Sequence, residues 1–150
     1  MLSPNEQIPC PRFIGVIGFD GRTVWEFAQA PEDFPFFSKI TAGSAGIFML
    51  GPGNSIYVWT GNWWRNLVQF VPPQYNVAIS AGPSGGVYAA GNVLSYSFVA
   101  FYDSNGNKVW FGVFQTPLCE EPKAISVTSN GIFVMGSSSI EKISAPQTLT

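Results

Sequence analysis

Acidic residues occur in two adjacent pairs, Glu32-Asp33 and Glu120-Glu121. Two carboxyl groups about 5 to 10 Å apart across a cleft are what a glycosidase needs. Both pairs fall in corresponding loops of two repeats described below. The same loop of the intervening repeat reads Pro72-Pro-Gln-Tyr75, so a solvated acidic loop is the better reading. Asp103-Ser-Asn105-Gly106-Asn107 places oxygen donors at alternate positions and resembles a calcium loop. Its glycine comes fourth rather than sixth, and the twelfth position is Phe114 rather than Glu, which favours a hairpin turn.

Other chemistries lack a component. The chain has no histidine, which removes Ser–His and Cys–His catalysis and His-ligated metals. Gly82-Pro-Ser-Gly-Gly86 lacks the lysine and helix of a phosphate loop. Cys10 and Cys119 are too few and too far apart in sequence to build a metal cluster. The reading is of a protein that is not an enzyme, with no cofactor and no metal site.

Aromatic residues offer a different chemistry. Tyr57, Trp59, Trp63, Trp64 and Tyr75 crowd one stretch, and flat rings stack on sugars or pack between sheets and subunits. Trp63 has no counterpart elsewhere in the chain, which makes it the leading candidate for an exposed residue that recognises a ligand or partner.

Composition bounds what must position these groups. Of 150 residues, 46% are hydrophobic and 11% charged, against roughly 25% charged in an average soluble domain. One domain over 1–150 with a real core suits this length. Aromatics at 15% and a net charge of −2 exclude disorder. Seven Lys+Arg against nine Asp+Glu leave no basic surplus for nucleic acid. No apolar run approaches the roughly 20 residues of a membrane-spanning helix. Met1-Leu-Ser-Pro-Asn-Glu-Gln7 has neither the basic nor the apolar part of a secretory signal. The expectation is therefore a chain that stays in the cell making it or leaves by another route. The missing signal also favours free thiols at Cys10 and Cys119 over a bridge.

The chain repeats itself. Gly46-Ile-Phe-Met-Leu-Gly51, Gly86-Val-Tyr-Ala-Ala-Gly91 and Gly131-Ile-Phe-Val-Met-Gly136 share one pattern of glycine, aliphatic, aromatic, two apolar residues, glycine. Each follows a short alternating run, and each lies 21 or 22 positions after a tryptophan, Trp25, Trp64 or Trp110. Phe19-Asp20-Gly21-Arg-Thr-Val-Trp25 echoes Tyr102-Asp103-Ser-Asn-Gly106-Asn-Lys-Val-Trp110. Short runs rich in Val, Ile, Phe, Tyr and Trp, closed by Gly, Asn, Ser and Pro, are strands. The middle repeat predicts four of them, over 76–81, 87–91, 93–103 and 108–114. Only Pro31-Glu-Asp-Phe-Pro35 invites a single helical turn.

Four strands in a period of 40 to 45 residues, from the glycines at 46, 86 and 131, are the mark of a β-propeller blade. The units run approximately over 13–38, 39–75, 76–122 and 123–143, the first and last partial. Residues 78–91, then Phe98-Val-Ala-Phe-Tyr-Asp-Ser-Asn-Gly-Asn-Lys-Val-Trp110, then 124–136, resemble the bacterial SBBP-type seven-bladed β-propeller repeat. The resemblance covers most of 13–143 loosely and 77–136 well. It implies an all-β fold of four-stranded antiparallel blades. It also implies six or seven blades behind a secretion signal, whereas this chain shows about three blades, an incomplete ring, and no signal.

An incomplete ring leaves strand edges open. The run 13–19, with Phe13, Ile14, Val16 and Ile17, carries no charge to discourage pairing, and Ile140 and Ile143 mark the opposite edge. The expected partner is a second copy of the chain, and two sets of three blades make a six-bladed ring. The function expected is that of a non-catalytic structural subunit in a homo-oligomer or larger particle, such as a virion, tail or surface array. The alternative is a carbohydrate-binding propeller whose partners are glycans.

Overall fold

The computed structural model describes residues 14–17, 19–27, 38–51, 54–59, 64–70, 74–94, 96–114, 122–137 and 139–143. The chain divides into two compact units, Met1–Phe36 and Phe37–Thr150. The helical turn expected at 31–35 lies outside the described residues.

In the first unit, β1 (Ile14–Ile17) and β2 (Thr23–Phe27) form an antiparallel hairpin. The second unit holds three antiparallel meanders. The first sheet is β3 (Lys39–Gly43), β4 (Gly46–Gly51), β5 (Ser55–Trp59) and β6 (Trp64–Gln69). The middle sheet is β7 (Gln74–Ala81), β8 (Val87–Val93), β9 (Tyr96–Tyr102) and β10 (Lys108–Phe114). The third sheet is β11 (Ala124–Thr128), β12 (Gly131–Met135) and β13 (Ile140–Ile143). Among the described residues there is no helix, and no sheet joins another to close a ring. The fold class is all-β, with propeller-like antiparallel blades in an incomplete ring.

The glycine motif lies at the same place in all three sheets. Ile47 pairs with Ala42 and Trp59, Val87 with Ala81 and Tyr102, and Ile132 with Val127 and Ile143. The leading glycines Gly46, Gly86 and Gly131 have φ of +131°, +78° and +143°, where a side chain is strained. Space is also lacking there. A Cβ on Gly46 would lie 2.6 Å from the Trp59 carbonyl oxygen, and one on Gly86 would overlap that of Tyr102. The motif is therefore steric, setting how closely the second and third strands approach.

Alternation along the strands then builds two packed faces. Val87, Ala89, Phe98, Ala100 and Tyr102 of the middle sheet pack on Phe48, Leu50, Ile56, Val58, Val68 and Phe70 of the first. Phe70 meets Tyr102 edge-on, with ring centroids 5.8 Å apart. Burial pushes the Tyr102 phenol up to about 12. The opposite face, with Ala78, Ala90 and Val99, packs on Ile125, Ile132 and Val134 of the third sheet.

The leading strands β3, β7 and β11 are neighbours, as innermost blade strands are. The Ala81 N–H donates to Thr41 Oγ1 at 2.9 Å, and Lys39 Nζ donates to the Lys123 carbonyl at 3.5 Å. At the opposite end of the blades, Arg65 Nη2 donates to the Ser104 carbonyl at 3.4 Å.

Gly86→Ala should destabilise the protein by about 1–3 kcal/mol, because strain and a backbone overlap coincide there. Gly21→Ala, with φ +83° but nothing within 4 Å of the added carbon, should cost much less. Urea denaturation of the two variants checks this, and equal losses would remove the steric role of the motif.

Candidate functional site

Three places bear on function, and the Asp103 turn comes first. Asp103 and Asn107 close the hairpin between β9 and β10, with the Asp103 N–H donating to the Asn107 carbonyl at 2.9 Å. Asp103 Oδ1 accepts from the backbone N–H groups of Asn105 and Asn107, both at 2.9 Å. Its Oδ2 accepts from Asn107 Nδ2 at 3.1 Å. The hydrogen bonds from Asn107, backbone first, hold this carboxyl below the usual aspartate range. Both oxygens thus serve the turn. Asp20 does the same in the first hairpin, where its Oδ1 accepts from the Arg22 N–H at 3.0 Å.

The aromatic group comes second, and the structure divides it. Tyr57 and Trp59 lie two residues apart on β5, half-buried on the face opposite Ile56 and Val58. Trp64 opens β6 and pairs in register with Trp59. Tyr75 belongs to another sheet, in β7 opposite Asn92. Trp63 lies outside the described residues, as do Phe13, Cys10, Cys119 and all four residues of the acidic pairs. The tryptophan recurrence also resolves into two kinds. Trp25 pairs with Val16 and Trp110 with Phe101, each just past a bulge, so these two are equivalent. In the first sheet Arg65, opposite Val58, takes that position, and Trp64 sits one pair nearer the turn.

Third is the outward face of the third sheet. Met135 pairs with Ile140, in the register where Leu50 pairs with Ile56 and Ala90 with Val99. Leu50, Ile56, Ala90 and Val99 are 7%, 0%, 0% and 1% exposed, because the next sheet covers each pair. Met135 and Ile140 are 43% and 70% exposed. The neighbouring pair is Phe133 and Lys142, with the ammonium 5.9 Å from the ring centre. A cleft of about 210 Å³ opens over Ala124, Ser126, Phe133, Met135 and Ile140.

The edge residues read from sequence divide likewise. Ile14, Val16 and Ile17 form β1 and pair with β2 in their own hairpin. Ile140 is exposed and Ile143 half-buried, packed at the margin of the core shared by the middle and third sheets. Leu94 was not legible as a feature. It stands 75% exposed at φ +55° after β8, with no Gly, Asn or Asp there to signal a turn.

No protein-family model matches the sequence. None of the curated proteins compared with it matches either. The fold does have a solved counterpart. The chain superposes on the crystal structure of a protein of unknown function from Bacteroides caccae with a TM-score of 0.62 and 18% sequence identity. The match covers 88% of this chain and 50% of that one, so this chain spans about half the length of its counterpart. At that identity the likeness speaks for the fold alone.

The Asp103 carboxyl should titrate below the ordinary aspartate value of 3.8. A lowered folded-state value means that the turn's contribution is present above the unfolded value and is lost as pH falls through the folded one. Carboxyl carbon shifts followed by NMR check this. They should also be unmoved by millimolar calcium, since the turn lacks the sixth-position glycine and twelfth-position glutamate of a calcium loop. A midpoint at or above 3.8, or a calcium-dependent shift, would contradict the turn assignment.

Proposed function

We propose that this chain is a non-catalytic structural subunit made of SBBP-type propeller blades, which associates with itself in a homo-oligomer or larger particle. The observation that carries this reading is the apolar pair Met135 and Ile140, exposed at a position that the other two sheets bury against a neighbouring sheet. Sheet-on-sheet packing is how this protein buries apolar surface, and that surface continues past the last sheet. The low charge of the chain, 11% of residues, favours contact with protein over long-range attraction of ions. A virion, tail or surface array uses subunits of this kind.

Light scattering over a micromolar dilution series tests the proposal. The mass should be a multiple of the chain mass, falling toward one chain on dilution, while a strict monomer throughout would contradict self-association. A glycan array is the second arm. Selective binding of one glycan that is lost in Trp63→Ala, with stability unchanged, would favour a carbohydrate-binding propeller instead.

A further inference from the structure

We infer that Asn130, at the tip of the turn between β11 and β12, is a site of spontaneous chemical modification. Its side-chain amide is converted to a carboxyl group through the backbone nitrogen of Gly131, and Lys142 promotes the step. Asn105, which has the same local sequence, is held back by its surroundings.

The chain contains two Asn-Gly pairs, and both stand in the tripeptide Ser-Asn-Gly, at 104–106 and 129–131. Glycine after asparagine leaves the following backbone nitrogen unshielded, and a tethered nucleophile reacts far faster than a free one. The Gly131 nitrogen gives its proton to water or hydroxide and attacks Asn130 Cγ. The new N–Cγ bond closes a cyclic imide as the Cγ–Nδ2 bond breaks and ammonia leaves. Water then opens the imide at either carbonyl, giving aspartate or isoaspartate. The net change is amide plus water to carboxylate plus ammonium, with nothing oxidised or reduced. Local sequence gives the two sites the same reactivity, and the fold separates them.

Both asparagines are exposed. Both glycines also lie across from the residue that begins the turn, Gly106 donating its N–H to the Asp103 carbonyl at 3.0 Å and Gly131 pairing with Thr128. What differs is the charge beside each nucleophile. At Gly106 it is negative. Asp103 Oδ1 accepts from the N–H groups of Asn105 and Asn107, on either side of the glycine, so the carboxylate opposes negative charge developing on the attacking nitrogen. Arg65 reaches this turn only at the Ser104 carbonyl, ahead of the asparagine. The turn is confined as well, since a Cβ on Gly106 would overlap the Leu67 carbonyl oxygen of the neighbouring sheet. At Gly131 the charge is positive. A Cβ there would lie 2.8 Å from Lys142 Cε, and the ammonium is one bond further on. A cation so placed stabilises the deprotonated nitrogen and the oxyanion that follows. The atoms nearest that position all belong to the flexible Lys142 side chain, so no backbone of another sheet confines this turn at the glycine.

Incubating the folded 1–150 chain at mildly alkaline pH, with peptide mapping by mass spectrometry at residue level, tests the inference. Asn130 should convert about tenfold or more faster than Asn105, as charges of opposite sign at the two turns imply. In concentrated urea the two rates should converge. Added salt should narrow the ratio in the folded protein, because these charges lie at the surface. Lys142→Gln should slow Asn130 by about threefold or more and leave Asn105 unchanged, with folding followed by circular dichroism. Equal rates in the folded wild type, a ratio that persists in urea, or one unmoved by salt would overturn the inference. So would a folded Lys142→Gln variant in which Asn130 converts at the wild-type rate.

Discussion

The middle sheet is packed on both of its faces, and the remaining structure of the 37–150 unit is organised by that constraint. A strand covered on one side needs apolar residues only at alternate positions, but β8 and β9 bury consecutive residues at their centres. Val87, Ala89, Ala90, Phe98, Val99 and Ala100 are all essentially inaccessible. Two sheets can approach from opposite sides because alanine pairs lie across each face, Ala89 with Ala100 on one and Ala78 with Ala90 on the other. Large partners fill the space they leave, with Phe48, Leu50 and Phe70 on one side and Ile125, Ile132 and Val134 on the other. Close packing of this kind is intolerant of added volume.

Much of this architecture was legible in the sequence because a repeat states each structural requirement three times. The Gly-aliphatic-aromatic motif marked the second strand of every sheet, and the glycine that begins it proves to be demanded by φ and by the opposing strand. Strand β10 begins and ends where the sequence placed it, at 108 and 114. The Asp103 turn was legible from its Asn and Gly content. The echo between Phe19–Trp25 and Tyr102–Trp110 corresponds to two hairpins with the same bulge and the same Asp-capped turn.

What escaped the sequence depends on register and burial. Spacing alone made Trp64 look equivalent to Trp25 and Trp110, but the bulge in β5–β6 falls nearer the far end of the hairpin, opposite the boundary between Ile56 and Tyr57. One pair of offset follows. The strand 93–103 was expected to be continuous, yet β8 continues to Val93, and the chain reverses at Leu94, a bulky residue that gives no turn signal. Nor did composition reveal which apolar residues would be left open. Ile140 and Ile56 look alike in sequence, and only the sheet stacked next to each distinguishes them. Ile140 was read in the sequence as an edge residue, and the structure places it in β13, exposed and paired with Met135.

The account stands or falls on the two-sided packing of the middle sheet. Urea unfolding of Ala89→Leu and Ala90→Leu, one substitution on each face, measures it most directly. Both alanines are wholly buried, so each leucine should overpack its own sheet-to-sheet contact and lower stability by about 1–3 kcal/mol. If either variant were as stable as the wild type, that face would have room for a larger side chain, and the stacked-blade account would be contradicted.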